Sequence, residues 1–347
     1  MLKPLGFSVY VSTFEKQIPM LKEVKGTNSY VFTSFHIEEE VDTNYVSKAR
    51  EMCLWLHQHD FQIIADVSPK TLRIFGVADV LSLMKELYVS VLRLDYGFSK
   101  QELKQFAQTT PIALNASTID ITDPYLVEAN ELYAMHNFYP RPETGLDLDL
   151  FQSINQIVSQ KQSVNLIAFI PGDAALRGPI YEGLPTLEKH RNCPPYVAYL
   201  DLIKNSVVNQ VFIGDVLLSN EQLQMIEAYR SGEIITIPVT FEEENSHLYN
   251  QVFTIRIDSP KSLMRLQESR EYASQGEIIE PHQCFDRFRG TITIDNKRYK
   301  RYSGEIQIMR ENHIRDERVN VIGQIADAYI PIVDCIKNGD KIRFVKM

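Results

Sequence analysis

Residues 136–146, HNFYPRPETGL, bring together His136, Asn137, Tyr139, Arg141 and Glu143, five side chains able to hydrogen-bond, stack or titrate. Pro140 and Pro142 punctuate the stretch. Proline has a fixed φ and no amide hydrogen, so helix and regular inner strand are excluded here. Two readings follow: a rigid surface turn, or a binding loop whose side chains are set before a ligand arrives, so that little ordering entropy is lost. In the second, His136 and Asn137 hydrogen-bond the ligand and Tyr139 offers a ring face. Arg141 serves as a second donor to an anion, and Glu143 either reaches the reacting atom or holds Arg141.

Acids recur just after apolar runs. Asp66 ends FQIIADV, Asp95 and Tyr96 end VSVLRLDY, Asp173 follows VNLIAFIPG and Asp215 closes VFIGD; Asn115 ends PIALN in the same manner. A lone acid in such a place is commonly a helix N-cap, and that reading fits Asp215 in GDVLLS. Asp66 and Asp95 are not needed as caps, because Ser68 and Ser99 follow them. Neighbouring carboxylates drive each other's proton affinities apart, which is the basis of acid/base catalysis.

A second outlier is GDAALRGPIYEGLPTLEKHRNCPP, residues 172–195. Strand–helix connections usually take about two to six residues, and this one is several times longer. It carries Asp173, Arg177, Glu182, Glu188, His190 and Arg191. Arg177 and Arg191 have the planar fork that clamps a phosphate bidentately. The bland alternative makes TLEKHR a short helix with its charges in water. Metal catalysis is not signalled, since the rim offers His136 plus acids and nothing like HxH or HExxH. Schiff-base chemistry wants a strand-end lysine, and Lys70 after Pro69 reads as a first-turn helix residue. Hydride transfer lacks its glycine fingerprint. Acid/base work on a polyol or sugar remains, with Tyr10, Tyr96, Phe138 and Tyr139 as stacking faces.

These residues must be positioned by the elements around them. Eight short apolar runs (5–12, 30–37, 61–68, 89–97, 111–117, 132–139, 164–172 and 209–215) alternate with amphipathic segments such as 44–60 and 77–87. Runs such as FQIIADV and VNLIAFI are continuous enough for strands buried on both faces. Eight such units in roughly 230 residues predict a (β/α)8 TIM barrel over 1–233, with its site at the strands' C-terminal ends. An open doubly wound sheet is the alternative, but no GxGxxG follows the first run. SNEQLQMIEAYRSG (219–232) predicts the last barrel helix. From 234 to 347 the period drops to two, which predicts a smaller all-β barrel or sandwich, with TITIDNKRYKRY as a strand–turn–strand.

Composition narrows the partners. The 347 residues carry a net charge of −9 without a dense basic run, against a nucleic-acid surface. No apolar run approaches the roughly 20 residues that span a bilayer, and the N-terminal stretch is too short and charged for an export signal. Cys53, Cys193, Cys284 and Cys335 are scattered, with no CxxC pair. A cytoplasmic protein is expected.

MHNFYPRPETGL, AFIPGD and RGPIYEGLPTLEKHR resemble the signature segments of the bacterial 6-phospho-N-acetylmuramidase family, and ADVSP and RLDYGF also resemble its pattern. The resemblance covers the whole chain. It implies a TIM barrel followed by a cyclophilin-like β domain, and a cytoplasmic glycosidase that cleaves the β-1,4 bond of N-acetylmuramic acid 6-phosphate–N-acetylglucosamine. It also implies that Asp66, Asp95, Glu143 and Asp173 are the catalytic carboxylates of the rim, acid and nucleophile being left unassigned. The expected substrate ligands are Asn115, His136, Asn137, Tyr139, Arg141, Arg177, Glu182, Arg191 and Asp215. No metal or cofactor is expected. The partner is a small phosphorylated disaccharide, with no nucleic acid or membrane, and self-association is left open. A sugar-phosphate isomerase or epimerase, or a non-catalytic carbohydrate-binding protein, is the alternative.

Overall fold

Parallel strands covered on both faces need apolar side chains on both, and the first eight runs supply them. The computed structural model describes residues 4–24, 29–35, 43–94, 97–123, 129, 131–160, 164–269 and 278–347. Strands β1 (Gly6–Ser8), β2 (Tyr30–Ser34), β3 (Gln62–Val67), β4 (Val89–Leu94), β5 (Ile112–Asn115), β6 (Leu132–Met135), β7 (Val164–Ile170) and β8 (Gln210–Ile213) pair in sequence order. They are parallel, and β8 returns to β1 to close the barrel. Helices α1 (Phe14–Val24), α2 (Tyr45–Gln58), α3 (Pro69–Phe75), α4 (Val80–Glu86), α5 (Lys100–Thr109), α6 (Leu148–Ser159) and α7 (Pro195–Asn205) lie between the strands, and α8 (Asn220–Gly232) follows β8.

Strand side chains alternate between the lumen and the helix layer. Phe32, Ile64, Val91, Ala113, Tyr133, Met135, Ile167, Phe169 and Phe212 form one buried cluster, so the lumen is a packed core. The caps follow the serines: Ser68 precedes α3 and its amide donates to Thr71 Oγ1. Ser99 precedes α5 and exchanges hydrogen bonds with Glu102. Asp66 is therefore released from capping.

By its internal contacts the chain divides into two units, the first within residues 2–222 and the second within 223–347. The second unit holds one mixed seven-stranded sheet, in the order β10 (Val252–Thr254), β15 (Lys341–Lys346), β9 (Ile234–Phe241), β14 (Val319–Ile325), β12 (Thr291–Asp295), β13 (Ile306–Met309), β11 (Leu263–Arg265). β15 and β9 run parallel and the other neighbours antiparallel. The strand–turn–strand expected over TITIDNKRYKRY is corrected. Asn296 accepts from the Arg298 amide and starts a 3-10 stretch, Lys297–Tyr302, so the returning strand is β13.

Two loops of the barrel's C-terminal rim, after β6 and after β7, are bound into one object. Thr186 Oγ1 donates to the Asn137 carbonyl and accepts from the Phe169 amide, each at 2.9 Å. Leu146 and Leu187 form a parallel bridge. Glu188 accepts from the amides of Glu143 and Gly145 at 2.9 and 2.8 Å and pairs with Arg191 at 2.6 Å. A Cβ on Gly145 would sit 2.6 Å from the Glu188 carboxylate, so the close approach demands glycine. Buried Arg191 engages all three of its nitrogens, donating to Glu188 and to the carbonyls of Tyr139, Arg141, Glu182 and Gly183.

Breaking this clamp should be costly. Arg191→Ala strands a carboxylate and four carbonyls, and breaking a buried pair by deleting one partner costs about 3–5 kcal/mol. Arg191→Lys keeps the charge but loses the fork, and should recover little of that loss. Urea unfolding of both variants checks this; a Lys variant as stable as the parent would show that the carbonyl contacts carry no energy. Arg191, helped by the Glu143 and Gly145 amides, holds the Glu188 carboxyl at about 2, below its ordinary 4.5. Between those values the unfolded chain binds the extra proton. The contribution of this group is thus complete above about pH 4.5 and is lost as pH falls toward about 2. The unfolding midpoint should fall less steeply across that window in Glu188→Gln than in the parent.

Candidate active site

The lumenal positions at the C-terminal end of the barrel are polar. Asp66 and Arg93 are register partners on β3 and β4, one step above Ile64 and Val91 of the packed lumen. Arg93 Nη1 donates to Asp66 Oδ2 at 2.7 Å, and Nη2 donates to Asn137 Oδ1 at 2.7 Å. The guanidinium carbon lies 5.6 Å from the Phe32 ring centroid. Asp66 and Arg93 are both buried. A carboxylate, a guanidinium and an amide thus span three strand ends on the lumenal side. Asn115, in register with lumenal Met135, ends β5 and accepts from the Ser117 amide at 2.9 Å.

Aromatic rings line the adjoining wall. Phe138 packs edge-on to Phe32 and Phe169, with centroids 6.3 and 5.1 Å apart. Tyr10, just beyond β1, donates its hydroxyl to the Gly214 carbonyl and packs with Phe138, Leu184 and Val216. Above the Tyr10 ring lies the Arg177 guanidinium, 4.4 Å from the centroid. Arg177 makes no ion pair or side-chain hydrogen bond among the described residues; its amide donates to Asp215. Tyr139 is half-buried, hydrogen-bonds Ser117, and is raised above its ordinary pKa by burial.

Several expected ligands have other work. His136 does not point into the mouth: β6 alternates Tyr133 and Met135 inward, which turns His136 toward α6. There it is fully buried, 2.7 Å from Asn155 Oδ1 and beside Phe151, and burial pushes it down to about 4. Arg191 has no fork left for phosphate, being spent on Glu188 and four carbonyls. Asp215, buried, accepts from the amides of Gly172, Arg177 and Leu184 and shapes the long loop instead of meeting a ligand. Both oxygens of Asp173 are occupied by Ser219, its amide at 2.7 Å and its hydroxyl at 2.6 Å, so this exposed acid anchors the loop before α8.

Glu143 is exposed, at a positive φ of 67°, and its amide serves Glu188. Glu182 is exposed and offers its carbonyl to Arg191, as does Arg141. TLEKHR is helical only over Glu188–His190, and His190 faces the interior, 2.8 Å from Asp201. Asp95 and Tyr96 lie outside the described residues. Arg93 escaped the sequence reading. Its signal was there: a charged side chain inside an apolar parallel strand must find a partner, and VLRLD places it two residues before Asp95, on a strand next to that of Asp66.

Comparison with known proteins puts this site in context. A conserved Enterococcus faecalis protein, its function unknown, is 31% identical, with a TM-score of 0.86 over 99% of this chain and 96% of that one. An uncharacterized B. cereus protein is 26% identical, with a TM-score of 0.81 over 99% of this chain and all of that one. No curated protein matches the sequence. The family model for the 6-phospho-N-acetylmuramidase N-terminal region matches residues 5–228, and that for its C-terminal region matches 235–345. Since the two models account for nearly the whole chain, barrel and second sheet alike, the protein belongs to the 6-phospho-N-acetylmuramidase family.

Proposed function

We propose that the protein is a glycosidase that hydrolyses the β-1,4 bond of N-acetylmuramic acid 6-phosphate–N-acetylglucosamine. The observation that carries this is a carboxylate bound inside the barrel mouth together with a guanidinium at its lip that makes no ion pair among the described residues. Glycoside hydrolysis needs a carboxylate facing the sugar carbon at which positive charge develops. Asp66, ion-paired with Arg93, fits that role and not that of proton donor. Arg93 and Asn137 act as positioning residues that fix the carboxylate's orientation. Arg177, lying over Tyr10, receives the 6-phosphate, a dianion at neutral pH that suits a planar guanidinium. Tyr10, Phe138 and Tyr139 offer ring faces to the sugars.

In the net reaction one water is consumed. Its oxygen ends on the sugar carbon, the carbon–oxygen bond to N-acetylglucosamine breaks, and the leaving oxygen takes a proton. The second unit, read from the family resemblance as cyclophilin-like, is assigned no prolyl isomerase activity.

Incubation with the phosphorylated disaccharide should release free N-acetylglucosamine. A changed sugar configuration without cleavage would favour an isomerase or epimerase, and binding without change a carbohydrate-binding protein. Asp66→Asn keeps the shape and should lower turnover at least about a hundredfold, the scale of lost carboxylate chemistry. Near-normal turnover in a folded variant would remove Asp66 from the mechanism. Charge-assisted hydrogen bonds to arginine contribute about 1.5–3 kcal/mol each. Arg177→Ala should therefore raise KM for the phosphorylated substrate roughly tenfold or more while sparing a non-phosphorylated analogue. Equal losses on both would make Arg177 structural.

A further inference from the structure

The second unit contains a cavity of about 590 Å³ with an unusual charge balance. Lys261, Arg289, Arg310 and Lys337 line it, against the acids Glu311 and Asp334. Four cations to two anions is the reverse of a chain whose net charge is −9. One of the two acids is already engaged, since Asp334 pairs with Arg289 at 2.7 Å.

Arg310 is the centre of the argument. It is half-buried, and its guanidinium donates to two backbone carbonyls, Ile336 at 2.8 Å and Pro260 at 3.5 Å. No carboxylate lies within ion-pair distance of it among the described residues, and Lys261 is likewise without an ion pair there. Burial lowers the Arg310 pKa from its ordinary value, with the more distant Asp334 and Asp340 opposing. A cation taken part-way out of water with only more distant carboxylates to offset it is unfavourable, and an anion bound in the cavity would lower that cost. Val333 and Ile336, both buried, give the cavity an apolar floor, and its volume lies within the usual range for small-molecule sites.

We propose that this cavity, lined by residues of the second unit alone, is a second anion site, which takes a phosphate dianion, either free or as the monoester of a small molecule. The excess of two cations over anions matches the charge of a phosphomonoester near neutral pH. Arg310 gives two of its five N–H groups to carbonyls, and the others suit the oxygens of the anion better than ammonium groups alone would.

Isothermal titration of the full chain with inorganic phosphate, and separately with glucose 6-phosphate, tests the proposal. A saturable event should persist in Arg177→Ala, weaken at least about tenfold in Arg310→Gln, and weaken in Lys261→Gln. Tighter binding of the ester assigns that source, and tighter binding of inorganic phosphate assigns the free anion. Circular dichroism establishes that Arg310→Gln folds; if it does not, Lys261→Gln on the exposed wall decides. Unchanged binding in the folded cavity variants would overturn the proposal, as would an event abolished by chloride at matched ionic strength.

Discussion

Glu188 and Arg191 hold the rim of the barrel together, and most of what the site can do depends on that pair. A loop rich in proline and glycine cannot satisfy its own backbone, so its carbonyls and amides must find partners elsewhere. Arg191 supplies a rigid plane of donors to four carbonyls from two loops, and Glu188 supplies acceptors to two amides of one of them. Each side chain also neutralises the other. The loop after β6 is thereby tied through both its carbonyls and its amides. Asp215 does the complementary work from the end of β8, gathering three amides of the long loop around one buried carboxylate.

The interior of the mouth follows a different logic. A buried ion pair is poor evidence for stability, because removing two charges from water costs about as much as their attraction returns. Asp66 and Arg93 sit directly above a lumen filled with phenylalanine, isoleucine and valine, where apolar residues of similar size would pack at least as well. In the proposed function, their presence prepares the mouth for a ligand. The guanidinium links Asp66 to Asn137, so one charged group orients both an acceptor and an amide across the opening.

Three arginines show how far residue type alone goes. Arg191 is wrapped in carbonyls and a carboxylate, and is structural. Arg93 is divided between a carboxylate and an amide, and positions them. Arg177 rests on an aromatic face and makes no ion pair among the described residues, although its own amide donates to Asp215, and in the proposed function its donors meet an incoming anion. All three carry the same fork, and only the supply of local partners separates their uses.

The sequence by itself determined the barrel, because eight apolar runs at regular spacing can bury both faces only by closing with helices outside. It also determined that the segments 136–146 and 172–195 are special, because their prolines, glycines and length fit no ordinary connection. The tertiary structure decided which side chains of those segments face the barrel mouth. His136 and Asn137 are neighbours in sequence, yet strand alternation sends one to the helix layer and the other to the lumen. Arg177 and Arg191 read alike, yet Arg191 lies within reach of carbonyls from a loop some fifty positions earlier, such as Tyr139 at 3.0 Å. Such partners come from neighbouring strands, loops and helices that only folding brings side by side, so the charge, burial and free valence of each group are properties of the fold and not of its neighbours in the chain.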